Sequence, residues 1–200
     1  MKNLTETECW IFIDNIIVYS DTAEERANRI SDGFERFRRA NLELQPEKCV
    51  FAKDKFTYLA FEMSCRGIEA SLDKVRAVQN FPTPQSVEYV RSFLGLASFY
   101  RRLVPHIADI AKALTQLTKK DKIWDWSQEC QESFDELKSK LRNAPVLVFP
   151  DFKVTFILTT DASTVGLGAV LCQVQEGIER PISFASRQLN KQRALIQQQN

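Results

Sequence analysis

Trp10-Ile11-Phe12-Ile13-Asp14-Asn15-Ile16-Ile17-Val18-Tyr19 sets one carboxylate and one amide between two apolar, β-prone runs. Runs of that kind around a short polar break read as a β-hairpin with Asp14 and Asn15 at its tight turn. An acidic pair at such a turn can hold divalent ions against a phosphate chain, because hard cations take oxygen ligands. Here the second position is Asn15, whose amide carries no charge. Taken alone, Asp14 reads by default as a turn former bonding its own local backbone.

Outward from the hairpin, Thr22 starts a helix with Glu25 three residues on, a capping box. Ala27, Ile30, Phe34 and Phe37 recur at helical spacing and predict one buried stripe, with Asn41 as the stop. Lys48 to Phe51 and Phe56 to Met63 read as two strands joined by a polar turn, and Cys65-Arg66-Gly67 turns the chain again. From Ser71 the texture is helical. A short helix over Leu72 to Val78 closes at Phe81-Pro82-Thr83-Pro84. Ser86 then caps a longer one to about Arg102, with Val87, Val90, Leu94 and Ala97 on one face and Phe93, Leu96, Tyr100 and Leu103 widening it. Pro105 opens a helix to about Leu117, and Ser127 to Leu141 supplies the last, with Cys130, Phe134, Leu137 and Leu141 inward. Beyond Ala144-Pro145, Val154 to Thr160, Gly166 to Gln173 and Pro181 to Ala185 predict a three-stranded antiparallel meander with Asp161 at the end of its first strand.

Composition adds bounds. Two hundred residues suit one to two domains, and a net charge of +1 leaves any electrostatic footprint to local clusters such as Arg101-Arg102. The five cysteines are scattered with no CxxC pair, which predicts a reduced, intracellular chain, cytoplasmic or nuclear. No apolar run is long enough to span a membrane, so no membrane association is expected. The hairpin lies close to the N-terminus and the C-terminus trails into glutamines, so a piece of a longer polypeptide is expected. His106 reads as a surface or capping histidine, Asp161 as a turn residue, and Phe99-Tyr100-Arg101-Arg102 as a core edge beside solvated charges or as a nucleic-acid contact.

The order of motifs decides among these readings. Arg91-Ser92-Phe93-Leu94-Gly95-Leu96-Ala97-Ser98-Phe99-Tyr100-Arg101-Arg102-Leu103-Val104-Pro105 is followed by Ala144-Pro145-Val146-Leu147, Thr159-Thr160-Asp161-Ala162-Ser163, Gly166-Leu167-Gly168-Ala169 and Arg180-Pro181-Ile182-Ser183-Phe184-Ala185. In this order and spacing they closely resemble the Pol polyprotein of Gypsy-type long-terminal-repeat retrotransposons. Phe12 to Val18 matches that family's aromatic-x-Asp-Asp hairpin in all but one position.

The resemblance implies an α+β chain: residues 1–70 as the end of a reverse transcriptase palm, 71–145 as a helical thumb or connection, and 146–200 as the beginning of an RNase H-like domain. It implies RNA-directed DNA synthesis and RNA-strand cleavage, with Mg²⁺ or Mn²⁺ held at Asp14 and Asp161. Tyr58, in a primer-grip-like hairpin, and Arg101 and Arg102 would meet an RNA–DNA hybrid or duplex without reading its sequence. Two-ion phosphoryl transfer needs several converging carboxylates, and Asn15 cannot offset the charge of a divalent ion. The isolated chain is therefore expected to catalyse neither reaction. The alternative is a non-catalytic module that binds nucleic acid or protein. Ala60, where the family has Gly, is expected to matter if its backbone needs a positive φ.

Overall fold

A computed structural model describes residues 9–163 and 166–189. The chain divides into two compact units, Met1–Lys53 and Asp54–Asn200. Helices alternate with three separate antiparallel sheets.

In the first unit, β1 (Cys9–Phe12) pairs with β2 (Asn15–Val18), with Phe12 opposite Asn15. The reversal therefore rests on Ile13 and Asp14, one residue earlier than the polar pair suggests. Helix α1 (Ala23–Arg39) begins at Thr22, whose hydroxyl accepts the Glu25 N–H at 3.2 Å. It ends in a Schellman motif: Asn41 adopts φ +52°, and the Leu42 N–H bonds the Phe37 carbonyl at 2.9 Å. The expected buried stripe does not form. No residue of α1 is fully buried, and Phe34 is 41% exposed. Two short strands and a loop offer this face too little apolar surface to cover it. The strand expected over 48–51 is absent as well; a 3-10 turn over Pro46–Lys48 leads into irregular chain.

The second unit opens with a sheet of β3 (Lys55–Tyr58), β4 (Phe61–Ser64) and β5 (Gly67–Ala70). The single strand that periodicity predicts from Phe56 to Met63 is two strands of a hairpin, as the resemblance around Tyr58 implied, turned at Leu59 and Ala60 with φ +46° and +64°. Helices α2 (Leu72–Gln79), α3 (Val87–Phe99), α4 (Ile107–Ile110), α5 (Lys112–Leu117) and α6 (Gln128–Arg142) follow. Helix α3 stops at Phe99, and Arg101–Leu103 forms a 3-10 turn rather than the last helical turn expected. The helix expected from Pro105 starts at Ile107 and is broken at Ala111 without a Pro or Gly to announce it.

The core is helical. Val90, Phe93, Tyr100, Leu103, Phe134 and Leu137 are all but inaccessible. The inward face of α6 is the expected one: Cys130, Phe134, Leu137 and Leu141. Ring contacts run from Phe81 through Phe93 to Phe134 at 5.3 and 4.5 Å. Phe61, Ile68 and Ala70 pack against this core, so the β3–β5 sheet folds with the helices.

The predicted meander forms, as β6 (Ile157–Ala162), β7 (Gly166–Gln175) and β8 (Ile178–Gln188). Residues 147 and 148 stitch it to the rest. Leu147 exchanges backbone bonds with Ile68 of β5 at 2.7 and 3.0 Å, and the Val148 N–H bonds the Pro181 carbonyl of β8 at 2.9 Å. Gly67, at φ +130°, is required there, because a β-carbon would run into the Leu147 carbonyl. Fully buried Gln173 of β7 holds the incoming loop by bonds to both Asp151 backbone groups and to the Val154 carbonyl, at 2.7 to 2.9 Å.

Candidate functional site

The first candidate position is the hairpin turn of the N-terminal unit. Ile13 has φ +57° and is 85% exposed. A β-branched residue in left-handed backbone is a genuine outlier, and such strain gathers at sites where function depends on it. The turn holds Asp14 at the surface. Its Oδ1 accepts a bond from the Asn15 side-chain amide at 3.2 Å, so the neighbour meets the carboxylate with a donor and no charge.

The second position is the β3–β4 turn. Ala60 has positive φ, as the substitution of alanine for glycine warned. Its carbonyl accepts the Tyr100 hydroxyl at 2.8 Å and the Ser71 N–H at 3.3 Å. Phe61 stacks on Phe99 at 5.4 Å and meets Tyr100 edge-on at 5.3 Å. Burial pushes the Tyr100 hydroxyl above its ordinary pKa, with a hydrogen bond to Ser71 opposing. Tyr58 lies half-buried at the end of β3, opposite Phe61. The hairpin tip is thus bolted to the residue immediately before Arg101 and Arg102, both of which are exposed.

The third position is the row around Asp161. Asp161 of β6 lies opposite Gly168 of β7, and Gly168 lies opposite Ser186 of β8. Directly paired residues share a face, so Asp161 and Ser186 flank a strand position with no side chain of its own. Arg101 donates to the Ser186 carbonyl at 3.3 Å. Arg101 and Asp161 line one cleft of about 480 Å³. The structure therefore brings together two of the residues singled out in sequence. Asp14 lies in the other unit. His106 escaped sequence reasoning as a site residue: its ring lies against Gly168, beside the Asp161 row. No local signal ties position 106 to position 168.

The donor set does not fit a two-ion centre. Among the described residues no three His, Cys, Asp or Glu side chains converge to hold a metal. At Asp14 the adjoining group is an amide, and the cleft beside Asp161 has Arg101 and Arg187 in its lining. Cations there oppose a second positive ion.

Residues 126–199 match the RNase H-like domain found in reverse transcriptase. Over 191 residues, 95% of its length, the chain is 40% identical to the retrovirus-related Pol polyprotein from transposon 297 of Drosophila melanogaster. It is 36% identical to that from transposon gypsy of the same organism over 92% of its length, and 27% identical to the transposon Tf2-7 polyprotein of Schizosaccharomyces pombe over 96%. The chain spans less than a fifth of the length of these relatives: 18%, 18% and 14%. Its fold is similar to the foamy viral protease-reverse transcriptase solved with double-stranded DNA, with a TM-score of 0.82 and 22% identity over 93% of this chain and 33% of that one. The complex of the foamy viral protein with an RNA/DNA hybrid gives 0.80 and 22% over 93% of this chain and 25% of that one.

Proposed function

From the premise that this chain is a homologue of gypsy-type transposon Pol polyproteins carrying a reverse transcriptase RNase H-like domain, we propose that it is their polynucleotide-contacting middle. In this reading residues 1–70 end a polymerase palm, 71–145 form the thumb or connection, and 146–200 begin the RNase H-like domain. The partner is an RNA–DNA hybrid or duplex. Arg102 and Arg101 meet phosphates, and Tyr58 stands at the grip hairpin. Such contacts position a duplex without reading its bases.

One observation carries the reading. The Tyr100 hydroxyl ties the Leu59–Ala60 turn to the start of the Arg101–Arg102 pair, and Arg101 in turn reaches β8 beside Asp161. The hairpin is thereby tied through buried Tyr100 to the arginine pair, and Arg101 lines one cleft with Asp161. Similarly folded foamy viral proteins are described in complex with double-stranded DNA and RNA/DNA hybrid, which makes a hybrid the partner to test.

Asp14 and Asp161 occupy the positions where the family's divalent Mg²⁺ or Mn²⁺ would be held. Among the described residues, each stands without the companion carboxylates that two-ion phosphoryl transfer requires. The chain by itself therefore binds and does not catalyse. The test is binding of a labelled RNA–DNA hybrid between roughly 50 and 200 mM salt, where counterion release gives phosphate contacts a steep dependence. Primer extension and RNA cleavage with Mg²⁺ and Mn²⁺ run alongside. Binding that falls steeply with salt, and a shallower slope for Arg102→Ala, is the expected result. Salt-insensitive binding or none would remove the reading, and nucleotide incorporation would remove its inactivity clause.

A further inference from the structure

We propose that His106 is a positioning residue that seats the helical body on the Asp161-bearing face of the meander, setting where Asp161 stands relative to Arg101 and Arg102. The importance given to Asp161 rests on the function proposed above; the seating itself is independent of it.

The contact is built from alternate residues on two strands. Gly166 and Gly168 lie two apart on β7 and so address the same face. The His106 ring occupies the place a Gly168 β-carbon would take, with Cε1 and Nδ1 only 2.8 and 2.9 Å from that point. The Asp109 carboxylate fills the corresponding place over Gly166. On β8, Ser186 and Gln188 are also two apart, and together they engage both backbone groups of Ala108. The Ala108 N–H donates to the Ser186 hydroxyl at 3.0 Å, and the Gln188 amide donates to the Ala108 carbonyl at 2.6 Å. The first turn of α4 is held by two side chains of β8, while His106 and Asp109 press into slots over β7 that only glycine leaves open.

His106 itself carries a mark of this arrangement. It precedes α4 with φ +52° and makes no side-chain capping bond. A non-glycine residue persists in that conformation where its surroundings over-determine it, and the ring's seat over Gly168 is such a constraint. Across the strand from Asp161, the space above Gly168 is therefore filled by the helical body. Helices and meander present the carboxylate and the cations at one fixed offset.

Hydrogen exchange of the full chain, read by mass spectrometry without nucleic acid, tests the seating. In Gly168→Ala, peptides within 166–188 should exchange roughly tenfold faster or more, while those around Phe93 and Phe134 keep their protection, as expected of local opening. His106→Ala in the same background should restore much of that protection, because the ring is what the new methyl strikes. His106→Ala alone should shift the NMR resonances of Asp161 and leave the distant strand ends near Gln175 unmoved. Should Gly168→Ala unfold the meander outright, Ser186→Ala, which strips the Ala108 N–H of its acceptor, should loosen the same peptides alone. Unchanged exchange in both single variants, or a double variant no better than Gly168→Ala, overturns the proposal. A chain that seats but does not bind hybrid would sink only the proposed function.

Discussion

The two compact units make opposite use of similar sequence signals. Helix α1 is well capped at both ends and amphipathic, yet buries none of its residues fully. Helix α6 has the same kind of cap, a serine accepting the Cys130 N–H, and buries Cys130, Phe134, Leu137 and Leu141. The difference is what each faces. Beside α1 stand a two-stranded hairpin and a loop, while α6 packs into an aromatic core supplied by α2, α3 and the β3–β5 sheet. Capping and periodicity make a helix possible, but its stability in water comes mostly from what it packs on.

That contrast can be broken most directly by truncating one phenylalanine in each unit. Phe93→Ala, in the inaccessible core, should cost about 3–5 kcal/mol in denaturant unfolding, whereas Phe34→Ala should cost no more than about 1 kcal/mol. Comparable losses would show that α1 is buried after all.

A smaller effect isolates the bolt between hairpin and helices. Tyr100→Phe removes the bond to the Ala60 carbonyl, which keeps the Ser71 N–H, so a loss of about 1 kcal/mol is expected. The raised hydroxyl pKa adds a pH signature. The folded state holds the proton more tightly than the unfolded chain, so this contribution is complete below the unfolded value near 10 and fades as pH rises toward the folded one. The wild-type chain should lose stability on that alkaline limb, and Tyr100→Phe should flatten it. A parallel decline in both would detach the effect from Tyr100.

The smallest expected effect has the opposite sign. Ala60→Gly relieves left-handed backbone at φ +64° and should stabilise the second unit by about 0.5–1 kcal/mol, net of the glycine's extra chain entropy. A destabilised variant would mean that the Ala60 methyl contributes packing that outweighs its dihedral cost.

Most of the fold was legible where the signal is local. Thr22, Asn41 and Ser127 mark helix ends through bonds to their own neighbourhood, and the four inward residues of α6 follow from spacing alone. The meander was legible because Glu176-Gly177 and alternating apolar residues announce it. Within Phe56 to Met63 the family resemblance implies the hairpin that forms, but periodicity misses it: Leu59-Ala60 has no turn residue, and the bond from Tyr100, forty positions away, lies outside any local window. Of the candidate site, Asp14, Asp161 and the arginine pair stood out as charged groups beside turns or aromatics. Gly168 and His106 did not, since their pairing belongs to two segments sixty residues apart.

Sequence by itself determined the caps of α1 and α6, the N-terminal hairpin and the meander, the inward face of α6, and the uncharged amide at Asn15. Each depends on residue chemistry within a turn or two of chain, whereas the order of motifs shared with gypsy-type Pol proteins is read over the whole length. Tertiary structure alone decided which amphipathic faces find cover, where Leu147 and Val148 join two sheets, and that a histidine from the helices fills the space over Gly168. Those outcomes depend on close packing between segments far apart in the chain, where a single β-carbon determines whether two surfaces can meet.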